Sequence, residues 1–332
     1  MVSRIGATLL AGFFLILPLG SAAEAPQLQL AGPLDKLKLQ TTPETSPGLE
    51  SRTPLAQAQP GAPPQYSLGG TQLTLPDWLK RVEVGISHGS EKPRYHIETV
   101  QPLYQSRDQT YTFFVQPRLS ARDADLTANL GFGYRQLFFD QQLLGGFNFF
   151  YDYAENHNHY RFGTGLELLS RYLELRTNGY FPMSGRRRIS QDANFKVFEK
   201  ALTGADVEAG GPVPYLPFLK LYGSYAYYDY QHDIDSHIAK FRGEVKLLRF
   251  LRLDLETWND NKAPWEYRIG LAFTVDLERP LETFKPAAEP YPYKDMRHMT
   301  LHRVVRDHEI KVERYAKSKT AGGITIAVRR GD

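Results

Sequence analysis

The chain has 332 residues, with 40 Lys and Arg against 37 Asp and Glu, no cysteine, 22 prolines, 20 Tyr and 19 Phe. The lack of thiols excludes a disulfide framework, a thiolate metal site and a Cys-anchored lipoprotein, and the near-neutral balance gives no support for nucleic-acid binding. A mean hydropathy of −0.43 excludes a bundle of membrane helices, but not a membrane β-barrel, in which only alternate residues face lipid.

Arg4 precedes an apolar stretch from Ile5 to Leu17, which Pro18, Leu19 and Gly20 end. Small residues follow, with Ser21-Ala22-Ala23 or Ala23-Glu24-Ala25 as cleavage signal. Residues 1–25 therefore read as a secretory signal peptide, the apolar stretch being too short for a membrane anchor. Residues 26–76 carry Pro26, Pro33, Pro43, Pro47, Pro54, Pro60, Pro63 and Pro64 among Gln, Thr, Ser and Gly. Such a segment cannot bury enough apolar surface to offset chain entropy, and it is expected to be an extended, mostly disordered periplasmic arm.

From Trp78 the period changes to two. Leu173, Leu175 and Thr177 alternate with Glu174, Arg176 and Asn178, and Leu251, Leu253 and Leu255 with Arg252, Asp254 and Glu256. Phe162, Leu166 and Leu168 oppose Arg161, Gly163, Gly165 and Glu167, and Leu126 to Tyr134 oppose Thr127 to Arg135 in the same way. Each such strand has one apolar and one polar wall. Twelve segments follow the pattern, near 80–88, 94–102, 110–118, 124–136, 142–154, 158–169, 172–181, 201–211, 216–230, 236–248, 250–259 and 263–277.

A soluble sandwich would alternate too. These segments, however, suit tilted membrane strands of roughly 9–11 residues better than ordinary strands of roughly 5–6. Aromatics gather at segment ends (Phe138-Phe139, Phe149 to Tyr153, Tyr225 to Tyr228) as interfacial girdles would. The expected fold is all-β, an up-and-down antiparallel transmembrane barrel over residues 77–280 with both ends periplasmic. Phe139-Asp140-Gln141, Ser170-Arg171 and Arg249 read as tight turns; 154–158, 229–236 and 259–263 read as looser loops, and Pro182 to Lys200, with Arg186-Arg187-Arg188, as the longest loop. Gly270, Phe273 and Val275 fit the glycine-x-x-apolar-x-apolar form of an outer-membrane assembly signal.

Residues 281–332 form a tail. Pro286, Pro290 and Pro292 preclude a helix at its start, and Tyr293 to Tyr315 are charged and proline-free. Those charges cannot sit in lipid but suit a lumen lined by Arg252, Asp254, Glu256 and Arg268. About 14 extended residues or about 30 helical ones would cross, so the tail is long enough to pass through the pore.

The runs Thr127 to Arg135, Gly145 to Asp152, Arg161 to Glu167 and Leu173 to Gly185 resemble, in order, the barrel region of intimin and invasin, the inverse autotransporters. Pro102-Leu103-Tyr104 upstream and Arg303 to Ile310 downstream continue the resemblance. It implies a twelve-stranded outer-membrane translocator of type V secretion, whose tail crosses the pore and delivers a C-terminal passenger outside. In that family the passengers are adhesive Ig-like arrays. Only 17 residues follow Tyr315, against roughly 100 for an Ig-like domain, so no globular adhesin is expected in this chain.

Three clusters invite chemistry. Ser87-His88-Gly89-Ser90 suggests a barrel phospholipase, but strand neighbours face opposite walls, and no orienting Asn or Asp is evident. His157 and His159 beside Glu155 and Asp152 have metal-ligand character, and Arg186-Arg187-Arg188 could meet lipopolysaccharide phosphates; solvated loops are the plainer reading of both. No catalytic, cofactor or metal residue is therefore assigned, and no cofactor is expected. The expected partners are outer-membrane lipid and lipopolysaccharide, the barrel assembly machinery and periplasmic chaperones, with neither nucleic acid nor a small-molecule substrate. A passive channel and a barrel lipid hydrolase are the alternatives.

Overall fold

A computed structural model describes residues 76–123, 125–192, 194–248, 250–275, 285–293, 295–319 and 325–327. The signal peptide, nearly all of the proline-rich arm, and Arg249 lie outside the described residues. Among the described residues there is no α-helix.

The first strands are β1 (Val82–Gly89), β2 (Arg94–Thr99), β3 (Gln101–Gln105), β4 (Tyr111–Arg122), β5 (Asp125–Phe138), β6 (Leu143–Ala154), β7 (His159–Ser170) and β8 (Glu174–Pro182). A hairpin of β9 (Arg187–Gln191) and β10 (Phe195–Ala201) follows, then β11 (Thr203–Val213), β12 (Leu216–Asp229), β13 (Ser236–Leu248), β14 (Leu251–Asp260) and β15 (Glu266–Thr274). The tail adds β16 (Val312–Ser318) and β17 (Thr325–Ala327).

β2 and β3 are two halves of one strand interrupted at Val100, both laid along β4. With them counted as one, twelve antiparallel strands follow one another around a ring. β1 closes the ring on β15, from Glu83↔Thr274 to Gly89↔Arg268. Closure leaves no bare edge, which a lipid-exposed sheet cannot tolerate.

The alternation read from the sequence sets the two walls. On β8, Glu174, Arg176 and Asn178 are buried inward while Leu175 and Thr177 are exposed outward. Val207, Leu221, Phe241, Leu255 and Ile269 likewise cover the outside. Buried Arg135, Asp152, Arg161, Glu167, Glu208, Arg242 and Glu244 face the lumen. A soluble core could not hold this many charges, but a barrel interior can pair them.

One end of the ring is closed by short turns, including Phe139 to Gln142, where Phe139, Asp140 and Gln141 all have positive φ (51°, 49° and 66°). The other end carries the longer connections. The 182–200 stretch, expected to be a loop, folds instead as the β9–β10 hairpin. β10 pairs with β16, the last long strand of the tail, forming a separate four-stranded sheet in the order β17-β16-β10-β9. The partner of β10 is more than a hundred residues away, so no local pattern marks the pairing.

Candidate functional site: the occupied lumen

The tail meets the barrel at the tight-turn end. Ala287 N–H donates to Tyr215 O (2.8 Å), Tyr215 N–H to Pro290 O (2.9 Å), and Met296 N–H to Gln141 O (3.0 Å). Asp295 caps a single 3-10 turn, Met296–Met299, by accepting from Arg297 N–H. Met296 and Met299 then bury themselves against Leu137, Leu144 and Leu169, an apolar collar just inside the ring.

Beyond Met299 the tail runs through the lumen without helix or strand as far as β16. A few of its peptide N–H groups bond within the tail, those of Thr300 and His302 to the turn before them and that of Glu309 to Asp307, but the rest lack the partners a helix or strand would give, and out of water each needs one. The wall supplies them. Arg135, wholly buried and held by Glu167, donates to Thr300 O (3.0 Å) and His302 O (2.5 Å). Gln116 Oε1 accepts from Val304 N–H (2.9 Å), and Asn129 donates to His308 O (2.9 Å). Arg161 donates to Asp307 O and Glu309 O (2.7 Å each), and Tyr180 Oη accepts from Asp307 N–H (2.8 Å).

Side chains lock one point of this path. Asp152 receives both terminal nitrogens of Arg306 (2.9 Å each), Arg161 Nε (2.8 Å) and Asn129 Nδ2 (2.8 Å). Arg306 and Asp152 are buried to within 1% of completeness. Arg306 also lies 4.3 Å above the Phe150 ring, a cation–π contact that holds charge without water. Tyr228 Oη donates to Asp307 (2.9 Å).

Lumen-facing glycines make the room. A Cβ on Gly163 would stand 2.3 Å from Arg306 Nη2, and one on Gly133 would stand 2.2 Å from the Phe114 ring. Phe114, Phe150, Val100 and the tail's Val304 form a small buried cluster there. The glycines of the Thr127–Arg135 and Arg161–Glu167 runs are thus spaces for rings and for the tail, a role their alternation alone does not reveal.

Past Glu309, whose carboxylate meets Arg94 (2.6 Å) and Arg122 (3.4 Å), the tail leaves at the long-loop end. Leu202 N–H donates to Lys311 O (3.0 Å), and β16 pairs with β10 from Ala201↔Val312 to Phe195↔Ser318. Glu199 on β10 takes Arg314 of the tail (2.6 Å), His157 (2.9 Å) and His159 (3.2 Å). Burial raises the Glu199 carboxyl, but the bonds from His159, Arg314 and His157 outweigh it and hold the group down at about 2.

The sequence candidates resolve as follows. His157 and His159 converge on Glu199 rather than on Asp152 or Glu155, so the four residues do not form one cluster. Ser87 is half-buried, His88 is exposed on the opposite wall, and Ser90 Oγ accepts from Tyr267 N–H (3.0 Å), so these residues do not form a nucleophile–base pair. Arg186 stacks over Phe198 (5.0 Å) and Arg187 donates to Asn158 O (3.3 Å), both bracing the hairpin. Another group of metal-ligand type, Glu83, His96 and Glu98, brings its ligand atoms within 4.8 Å of one another inside the ring. Arg252 chelates Glu83 (2.6 Å and 2.7 Å) and Arg118 pairs with Glu98 (2.9 Å), so these carboxylates already have their counter-charge. The tail does not fill the lumen. A polar cavity of about 200 Å³ remains, lined by Arg94, Glu208, Lys240, Arg242, Glu256 and Arg268 among others.

Residues 70–237 match the family described as inverse autotransporter, beta-domain. The invasin of Yersinia enterocolitica is 30% identical over 161 residues, covering 47% of this chain and 18% of the relative. A putative attaching and effacing protein homolog of Escherichia coli K12 is 28% identical over 164 residues, covering 48% of this chain and 53% of the relative. The intimin of Citrobacter freundii is 28% identical over 183 residues, covering 54% of this chain and 18% of the relative. The matches thus span at most about half of these relatives. A solved structure from work on the in-meso crystallization of membrane proteins superposes with a TM-score of 0.61 at 19% identity, covering 70% of this chain and 98% of the other. That likeness concerns the fold.

Proposed function

Because the chain belongs to the inverse autotransporter β-domain family, we propose that it is an outer-membrane translocator whose barrel anchors, and passes to the cell surface, its own C-terminal segment. The observation that carries this reading is the threaded tail, which joins the tight-turn end at Tyr215 and Gln141 and emerges at the long-loop end on β10. In this reading the tight turns are periplasmic and the hairpin is extracellular. The signal peptide, the periplasmic arm, the assembly machinery, periplasmic chaperones and lipopolysaccharide belong to the same proposal, as the compartments and partners such a barrel requires.

The test is an epitope placed after Asp332. Protease added to intact cells should remove it. An epitope protected until the outer membrane is broken would defeat the reading. The cavity left beside the tail supports one subordinate reading, a small-ion leak through the plugged pore. Single-channel recording tests it: a closed pore with the tail in place refutes it.

A further inference from the structure

The contacts inside the lumen reach both main chain and side chain, and the side chains they reach are polar or charged: Gln105 donates to Thr300, Arg303 meets Glu244 and Asp254, Tyr228 donates to Asp307, and Glu309 meets Arg94 and Arg122. Arg135, Gln116, Asn129, Arg161 and Tyr180 all address peptide C=O or N–H groups of residues 300–309. The side chains of Leu301, His302, Val305 and His308, in the same stretch, receive no wall hydrogen bond or ion pair among the described residues. The ring of His302 points to the neighbouring Arg303 O (3.3 Å), and both ring nitrogens of His308 are without a partner. At Arg306 the hold on a side chain is the most deeply buried: Asp152 takes both guanidinium ends, and Gly163 leaves the notch that admits it.

We propose that the lumen wall is a main-chain-binding track for extended polypeptide, indifferent to the side chains of Leu301, His302, Val305 and His308, and that among the tail's charged side chains Arg306, received by the Asp152–Gly163 notch, does most to fix where the chain stops. This deepens the export reading above and rests on it. The physical logic follows from the peptide group. Every residue in transit presents the same C=O and N–H, so donors arranged for these groups serve any sequence that is extended, at the spacing of successive peptides. Arginine suits the task because its rigid fork reaches two carbonyls at once, as Arg161 does with Asp307 O and Glu309 O. A track of this kind would let a chain slide; charged side chains held by the wall, Arg306 in its buried notch above all, would arrest it. A sliding chain also needs an endpoint on the far side, and the register of β16 on β10 reports that endpoint directly, because Val197 faces Ala316 there.

The experiment uses this register. The chain has no cysteine of its own, so Val197→Cys with Ala316→Cys gives a single candidate disulfide between opposed strand residues. Val197→Cys with Arg314→Cys, and with Ser318→Cys, report slips of two residues either way. In the full chain, a tail carrying Leu301→Gln, His302→Asn, Val305→Thr and His308→Gln together should keep the Val197–Ala316 crosslink within about twofold of the parent. Arg306→Gln should lose about tenfold or more of that crosslink and gain the slipped ones, because Asp152, still paired with Arg161, then has no cation of the tail with which to select one position. Barrel folding is followed separately by heat-modifiable electrophoretic migration. If the fourfold-substituted tail loses the native crosslink while the barrel stays folded, side chains are read and the track is overturned. If Arg306→Gln keeps only the native crosslink, the notch does not set the register. Failure of the parent pair to crosslink at all, with a tail protected in intact cells, would instead refute the export reading.

Discussion

Replacing Asp152 by Asn should release the tail without dissolving the barrel. Its carboxylate neutralises Arg161 and Arg306, which lie beside it with no more than 1% of either side chain exposed. After the change Arg161 keeps the carbonyls of Asp307 and Glu309, but Arg306 keeps only aromatic faces at Phe150 and Tyr180. Leaving a buried charge unpaired costs about 3–5 kcal/mol, which shifts the balance between threaded and vacated lumen by roughly a hundredfold to several thousandfold at about 1.4 kcal/mol per tenfold. Strand pairing on β6 does not pass through this side chain, so heat-modifiable migration should stay native. The assay is single-channel recording, where Asp152→Asn should open frequently to a wider conductance that the parent rarely shows. Adding Arg306→Leu removes the stranded cation and should restore much of the closure, since an apolar replacement of a buried pair is often neutral. The reasoning is refuted if Asp152→Asn stays closed, or if the double variant opens more than the single.

Leu255 faces lipid and Asp254 the lumen, so Leu255→Arg should cost about 2–4 kcal/mol near mid-membrane and reduce assembled barrel in outer-membrane fractions far more than Asp254→Ala; equal yields would contradict the register. Gly163→Ala places a methyl 2.3 Å from Arg306 Nη2 and should raise channel opening while leaving migration unchanged, because only the pinned guanidinium must move. Glu199 is held at about 2 against a usual value of 4.5, so its clamp on Arg314 is at full strength above about pH 4.5 and weakens as pH falls towards 2. Proteolysis of the β16 strand with an acid-active protease should accordingly be slow at pH 5 and faster at pH 3, with Glu199→Gln cleaved at the fast rate at both.

The barrel was legible because its information is local. Glu174-Leu175-Arg176-Thr177-Asn178 states its two walls in five residues, and twelve such statements in succession describe a ring. The polar tail was legible from charge: Arg303, Arg306, Asp307 and Glu309 have no place in lipid. Whether the crossing is helical or extended was not legible, since both lengths fit; the wall decides it by supplying partners for the peptide groups. The same holds for Arg135 with Glu167 and Arg161 with Asp152, whose pairing depends on the register of neighbouring strands. β10 was missed for a related reason. Phe195 to Ala201 is a short, lysine-rich stretch that becomes a strand by pairing with β9 and with Val312–Ser318. The partner of the histidines in the 157–159 segment is not legible for the same cause, because Glu199 sits on that hairpin.

The central claim is that the tail passes through the pore from the periplasm to the cell surface, and paired cysteine labelling tests it most directly. In this cysteine-free chain, Glu289→Cys marks the tail before the lumen and Lys319→Cys marks it just past β16. A membrane-impermeant maleimide applied to intact cells should label Lys319→Cys and spare Glu289→Cys until the outer membrane is permeabilised. Labelling of Glu289→Cys in intact cells, or protection of Lys319→Cys in them, would contradict the account.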